Sequence, residues 1–465
     1  MVVTQSVKSY ITRIDELLSP YIPPRETWNP ADESLYKPFD LFRVPLGEAR
    51  DLQLKAVKFA FTHHYINSKF YHKYCGQHDV RPDDIKTIND LDKIPLIADT
   101  TFKQYPSGKD FAFWLATIFT GDMPEIVINS SNPTYDDVVN AFNAAGLAVM
   151  YSSGTSGRLT FIPRDMKTFV AGQYAVAKLT ASMTDQADTH AQLLSADHIY
   201  LLSPNPKKTN LYLGKVSSLS FDIIKNGDVR YATDYSITIE LLQKAMSEKK
   251  GLRGKLTSYV QKRTGQKIVD QTIQWLERYD NTEDTIALSG PPFILLGIMN
   301  RLQHDGKSFD FGERGVVVTG GGWKMLEDKR TPHADFRKQI GDVLGIPETH
   351  CLDMYGMCEG NGFMVQCPEG HYLHAPYTYF TPLVLDDDLK PVGYGEWGRF
   401  AFLDAIAQSY PGFIITGDEV RMLEHCPVCD RPGPVLEPEV QRASGEETRG
   451  CAEELRRILA EELEW

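Results

Sequence analysis

Residues 151–165 read YSSGTSGRLTFIPRD, and positions 152–157 of that stretch are all Ser, Thr or Gly. Apolar residues flank it on both sides, at 147–150 and 159–162, and the second run is rich in strand formers, so the loop is expected to join two strands. Glycine lets backbone amides approach an anion closely, while Ser152, Ser153, Thr155 and Ser156 supply hydroxyl donors. Phosphate is therefore the natural ligand, with a flexible Ser/Gly turn as the alternative. The stretch differs from a Walker loop, because Arg158 rather than Lys-Ser/Thr follows Gly157 and Pro163 argues against a following helix, which weakens a P-loop NTPase reading.

Working outward, residues 198–203, 285–289, 316–319 and 350–354 read as strands, and 237–248, 292–303 and 333–344 as helices, the second starting at Pro292 where a first-turn proline is tolerated. That alternation predicts an α/β fold with helices packed over a mostly parallel sheet. Ligands in such sheets sit beyond the carboxyl ends of the strands. Three of the strands run into clusters of that kind: SGPPF at 289–293, TGGGWK at 319–324 and YGMCEG at 355–360. The chain divides into a mainly helical region (1–110), an α/β core for nucleotide and acid (111–360), a smaller β-rich subdomain (361–436) and a short tail ending in an amphipathic helix (437–465).

A net charge of −13 disfavours nucleic-acid backbones and anionic membranes, and leaves a small molecule as the expected partner. The amino terminus lacks the pattern of a signal peptide and no apolar run reaches transmembrane length, which predicts a cytoplasmic protein. Seven scattered cysteines do not form a disulfide framework. Cys426 and Cys429 form CPVC, a spacing at which two thiolates share one tetrahedral metal, and Cys367 opens CPEGHYLH in the same region, so a structural zinc site is expected there. The alternative is a set of unrelated residues.

Several motifs occur in one order, and with them the sequence resembles the adenylate-forming acyl- and aryl-CoA ligases, in particular the phenylacetate-CoA ligase type and, closer still, the acyl-protein synthetase (LuxE) family. YSSGTSGR is similar to the phosphate loop, TGGGWK to the adenine-side glycine segment, MYGMCE to the aromatic-Gly-x-x-Glu motif and SYPGFIITGDEV to the ribose motif. CPVCDRPGPV followed by ETRGC is the most specific link to LuxE.

The resemblance implies ATP-dependent activation of a fatty or aromatic carboxylic acid as an acyl-adenylate, followed by transfer to the thiol of CoA, a carrier protein or a protein cysteine. A non-catalytic nucleotide- or acyl-binding homologue is the alternative. It further implies that Ser152, Ser153, Gly154, Thr155, Ser156 and Gly157 bind the ATP phosphates and that Gly321, Gly322, Tyr355 and Gly356 border the adenine, with Tyr355 stacking. Glu359 is expected to hold Mg²⁺ and Asp418 to accept the ribose hydroxyls, a carboxylate being suited to both tasks. Read blandly, Tyr355 is a core aromatic before a turn, Glu359 a helix-start carboxylate and Asp418 a turn former. Met357 and Cys358 depart from the superfamily, which commonly has Thr before the Glu. SGPPF is expected to wall the acyl pocket, with Phe293 as an apolar face.

HYLHAP resembles the corresponding segment of the family, which implies His374 as the preferred fourth zinc ligand, with His371 the alternate. Cys451 is a candidate acyl acceptor, an incidental cysteine being the other reading, and a homodimer is compatible with the sequence. The superfamily's catalytic lysine lies on a mobile carboxy-terminal domain, here expected to be truncated or absent, since no lysine follows Lys390. Lys324 is the preferred replacement, with Arg158 and Arg431 as rivals.

Overall fold

The computed structural model describes residues 22–152, 158–184, 196–216, 228–234, 236–247, 251–323 and 330–443, with Thr12, Asp15, Glu16, residues 18–20 and Ser218. Its strands in chain order are β1 (Ile97–Ala98), β2 (Ala148–Tyr151), β3 (Phe161–Arg164), β4 (His198–Pro204), β5 (Asp228–Thr233), β6 (Ile286–Gly290), β7 (Gly315–Gly320) and β8 (Cys351–Tyr355). They continue as β9 (Met364–Gln366), β10 (Leu373–His374), β11 (Phe380–Leu385), β12 (Trp397–Asp404), β13 (Phe413–Leu423), β14 (Val435–Leu436) and β15 (Gln441–Arg442).

β2 and β3 form the antiparallel pair expected around the Ser/Gly loop, with Met150 opposite Ile162 and Tyr151 opposite Phe161. Pro163 sits inside β3, where a two-stranded pair leaves one edge that needs no N–H. A helix does follow soon after: Met166–Thr184 begins once Asp165 accepts the Thr168 amide at 2.7 Å. The sequence reading did not anticipate this helix, because Pro163 ends a strand rather than barring what lies beyond it.

The large sheet runs in the order β11-β12-β13-β14-β10-β9-β8-β7-β6-β4-β5. β5, β4, β6, β7 and β8 are mutually parallel. Their buried runs, Ile286 to Leu288 and Val316 to Val318, explain why: strands covered on both faces become continuously apolar. Helices Pro292–His304 and His333–Leu344 bury Leu295, Ile298, Leu302, Phe336 and Ile340 in one cluster with Leu288 and Val317. The β-rich stretch joins the same sheet, since β9 pairs antiparallel with β8 through Met354 and Val365.

β13 is the hub. One edge takes β12, while the other is shared by β1, which is parallel to it, and by β15 and β14. Ala98 stands opposite Ile415 and Arg442 opposite Asp418. Two segments distant in sequence therefore reach the middle of one strand. The helix Leu46–Asn67 locks this corner from outside: buried His64 lies 3.0 Å from Thr120 Oγ1 through Nδ1 and 2.8 Å from the Ala407 carbonyl through Nε2. Among the described residues no helix is long and apolar enough to cross a membrane.

Candidate active site

A cavity of about 310 Å³ opens at the carboxyl ends of the parallel strands, bordered by Ser203 near the end of β4, Ser289 and Gly290 of β6, Gly320 to Trp323 from the last residue of β7 onward, and Tyr355 to Glu359 from the last residue of β8 onward. The turn after β7 needs glycine, because Gly321 and Gly322 hold φ of 84° and 64°. At Gly356 the requirement is space, since a Cβ there would stand 2.4 Å from the Phe363 ring. Glycines 321, 322 and 356 thus shape the wall that Tyr355 enters. Of SGPPF, Ser289, Gly290 and Pro292 line the cavity; Phe293 is not in its wall.

Asp418 lies in the middle of β13, so the reading of GDE as a turn is corrected: it stands opposite Arg442 of β15, where the register with β12 shifts between Arg399 and Ala401. Both carboxylate oxygens are engaged within the protein. Tyr355 donates its hydroxyl to Oδ2 at 2.7 Å and Arg442 reaches Oδ1 at 2.7 Å. Burial raises the Asp418 pKa from its ordinary value, against the opposing pull of Arg442 and Tyr355. Tyr355 packs edge-on against Phe400, with ring centroids 5.5 Å apart, and keeps one side to the cavity.

At the other end the base of the Ser/Gly loop meets Glu359. Ser152 and Thr160 exchange hydrogen bonds, Ser152 N to Thr160 O at 3.0 Å and Thr160 N to Ser152 Oγ at 2.9 Å. The Thr160 hydroxyl then donates to Glu359 Oε1 at 2.9 Å. Burial, and after it Asp99, pushes the Glu359 carboxyl above its ordinary pKa, while Lys103 and Thr160 act the other way. Residues 153–157 (Ser153, Gly154, Thr155, Ser156 and Gly157) lie outside the described residues.

Fully buried Arg164 holds the Glu359 segment from behind: Nη2 donates to Cys358 O at 2.6 Å and Gly360 O at 3.2 Å, and Nε to Asn361 Oδ1 at 2.8 Å. Asn361 in turn donates its backbone N–H to Asp404 Oδ2 at 2.6 Å. Cys358 is buried in this shell, and burial pushes its thiol pKa far up, so it behaves as packing rather than as a nucleophile.

Of the cations named from sequence, Arg158 and Arg431 are among the described residues, and they lie apart. Arg158 is exposed and donates to the Lys103 carbonyl at 3.4 Å. Arg431 is buried away from the cavity, ion-paired with Glu369 at 2.7 Å. Lys324 and Cys451 lie outside the described residues. The lysine that lines the cavity among the described residues is Lys103, paired with Asp99 at 2.7 Å. Local sequence does not mark it, because KTINDLDKIPLIADTTFKQYP reads as a connector followed by a short helix, and only the pairing of β1 with β13 brings that segment to the site.

The metal-ligand set is brought together outside the cavity. Ligand atoms of Cys367, His374, Cys426 and Cys429 all lie within 4.8 Å of one another. Cys367 Sγ stands 3.9 Å from Cys426 Sγ, and Cys429 Sγ 3.4 Å from His374 Nε2. Ligands about 2.3 Å (S) and 2.0 Å (N) from a tetrahedral zinc stand roughly 3.5–3.8 Å apart, so the geometry fits. His371, the alternate, instead lies 3.0 Å through Nε2 from the Glu348 carbonyl.

Residues 256–460 match the family model "Acyl-protein synthetase, LuxE". Over those residues the chain is similar to the LuxE acyl-protein synthetases. Long-chain-fatty-acid–luciferin-component ligases of Vibrio harveyi and Aliivibrio fischeri are 24% and 23% identical, over 88% and 90% of this chain and 88% and 91% of theirs. Among solved structures, a 2-hydroxyisobutyryl-CoA ligase in complex with 2-HIB-AMP, in the postadenylation state, aligns with a TM-score of 0.57 at 15% identity, over 91% of this chain and 72% of that one. An open form of that ligase with 2-HIB-AMP and CoA gives 0.55 at 14%, over 86% and 71%. The LuxE match takes in Tyr355, Glu359, the cysteine cluster and Asp418, whereas Lys103, Ser152 and Thr160 come from chain outside it.

Proposed function

We propose that the protein activates a carboxylic acid with ATP, forming an acyl-adenylate and pyrophosphate, and passes the acyl group to a thiol. The observation that carries this reading is one cavity at the strand ends gathering the glycine turn 320–322, Tyr355, Asp418, Glu359 and the Ser152–Thr160 loop base. Asp418 suits a ribose diol, Tyr355 an adenine face, and the hydroxyl-rich loop the phosphates.

The donor set fits Mg²⁺. Glu359 is a hard carboxylate beside the phosphate loop, and its proximity to Asp99 leaves negative charge that a divalent cation would relieve. Mg²⁺, when bound there, supplies charge neutralisation for the phosphates. The protein's own residues do the rest: the loop orients the phosphates, Asp418 fixes the ribose, and Arg164 keeps Glu359 in place. Lys324 and Arg158 retain their candidate roles at the phosphates, and Cys451 as acyl acceptor.

Val176, Leu201, Leu213, Val216 and Phe363 give the cavity an apolar side suited to a hydrocarbon chain. With the names carried by the LuxE-type relatives, this favours a long-chain fatty acid over an aromatic one. The Cys367–His374–Cys426–Cys429 set is proposed to hold structural zinc, since four ligands leave no open position.

The test is ATP–pyrophosphate exchange driven by a panel running from octanoate to palmitate, with phenylacetate and benzoate alongside. Exchange with the longer fatty acids is the expected result. No exchange with any acid would leave a nucleotide- or acyl-binding homologue as the reading.

A further inference from the structure

Lys103 belongs to a five-residue turn of 3-10 helix, Asp99–Lys103, that begins where β1 leaves the edge of β13. Its ammonium lies 2.7 Å from Asp99 Oδ2, and the two side chains are only 18% and 14% exposed, so this is a pair set in a cavity wall rather than a surface ion pair. Burial alone would depress the lysine; the carboxylates of Asp99 and Glu359 outweigh it and hold Lys103 charged. Asp418 and Glu359 line the same cavity, and the Lys103 ammonium draws the pKa of both carboxyls down.

We propose that Lys103 is a catalytic cation of adenylate formation, held by Asp99 until the phosphates of ATP take over its ammonium. The proposal rests on reading the cavity as the ATP and acid site. When the acid carboxylate attacks the α-phosphorus, a P–O bond forms, the bond from that phosphorus to the α,β-bridging oxygen breaks, and pyrophosphate leaves with the electron pair. No proton need move. What the step requires is positive charge beside the oxygens that gain it, supplied by a group already positioned in a half-dry site. A lysine does this as a mobile point charge, able to turn from one oxygen to another on its flexible stem.

Among the described residues, position also distinguishes Lys103 from three arginines. Arg442 is engaged with Asp418, at the ribose end. Arg431 is buried with Glu369, and Arg158 is exposed with its guanidinium directed to the Lys103 carbonyl. That last contact ties Arg158 to the backbone of Lys103.

The test uses the full chain as wild type, Lys103→Met and Lys103→Arg. Exchange of pyrophosphate into ATP is expected to fall about 100-fold or more in Lys103→Met, with Lys103→Arg recovering a large part of it. Calorimetric affinity for Mg²⁺-pyrophosphate should fall at least about tenfold in Lys103→Met, while binding of an acyl-sulfamoyl adenosine, which has no pyrophosphate, stays within about threefold. Unchanged exchange and pyrophosphate binding in folded Lys103→Met would overturn the proposal. Equal losses for pyrophosphate and the adenylate analogue would overturn it too, by showing a structural role. A wild type that exchanges nothing but loses pyrophosphate affinity through Lys103→Met would count against the ligase reading and for Lys103 as the phosphate cation.

Discussion

Asp418 uses both of its oxygens before any nucleotide arrives, one on the Tyr355 hydroxyl and one on the Arg442 guanidinium. A ribose diol must therefore join or displace these partners, and the consequence differs by substitution. Asp418→Ala leaves the half-buried Tyr355 hydroxyl without its acceptor, a loss of about 1–3 kcal/mol of stability. Asp418→Asn keeps an acceptor for Tyr355 and loses only the pair with Arg442, whose side chain is 59% exposed, so stability should change by less than about 1 kcal/mol. Both variants should weaken ATP binding by roughly 10- to 100-fold. Denaturant melts beside calorimetric ATP titrations test this, and normal ATP affinity in Asp418→Asn would remove the carboxylate from the nucleotide site.

At the scale of elements, the segment after β8 is placed by what lies behind it. The Arg164 fork clasps the carbonyls of Cys358 and Gly360 and the side chain of Asn361, so Glu359 is presented from both sides. Lysine at 164 keeps the charge but not the planar fork. Arg164→Lys should cost about 1–3 kcal/mol of stability and raise the Mg²⁺ concentration needed for exchange; an unchanged Mg²⁺ dependence would make Arg164 a packing residue only. The helix Leu46–Asn67 supplies a second such lock through His64, whose pKa burial lowers from 6.5 to about 3. Below pH 6.5 the unfolded chain takes up a proton there that the fold refuses until about pH 3. The stability this gives is complete above 6.5 and is lost on acidification, by about tenfold in the folding equilibrium constant per pH unit. In acid melts His64→Gln should show a shallower dependence than wild type over that window.

The same scale separates what was legible in the sequence from what was not. Strands β4, β6, β7 and β8 and the helices Pro292–His304 and His333–Leu344 announce themselves by local pattern, because burial on both faces or one stripe fixes residue type at each position. The glycines at 321 and 322 were legible for a similar reason: positive φ admits little else. Asp99, Lys103, Arg164 and Arg442 were not read as site residues. Each reaches the site through contacts between distant segments, β1 and β15 on β13, or a strand-end arginine clasping a turn almost two hundred residues on. No window of sequence carries that information.

For the molecule as a whole, the hub strand β13 has to hold segments from both ends of the chain in one register. Its far end is tied down by short pieces: β14 meets it through only Met422 and Leu423, and β10 meets β14 through Leu373 and His374. Two-residue pairings of this kind give little stability by themselves. The Cys367–His374–Cys426–Cys429 cluster spans the same junction, joining the turn between β9 and β10 to the connection between β13 and β14. Glu369 and Arg431 bridge it again at 2.7 Å. Metal bound there would act at a distance, by fixing the end of the strand that carries Asp418. Purified protein should contain close to one equivalent of zinc. Its removal by chelation, or Cys426→Ser, should lower Tm by roughly 2–5 °C, the effect of losing a few kcal/mol in a protein of this size. ATP affinity should fall with it, although no ligand of the cluster touches the cavity. Substituting His371 should leave metal content intact, because its imidazole is engaged with Glu348 and stands outside the ligand set. Metal-free protein with an unaltered melt in Cys426→Ser would show that the four residues are packed together for another reason, and that the β13 register is held by its backbone pairing alone.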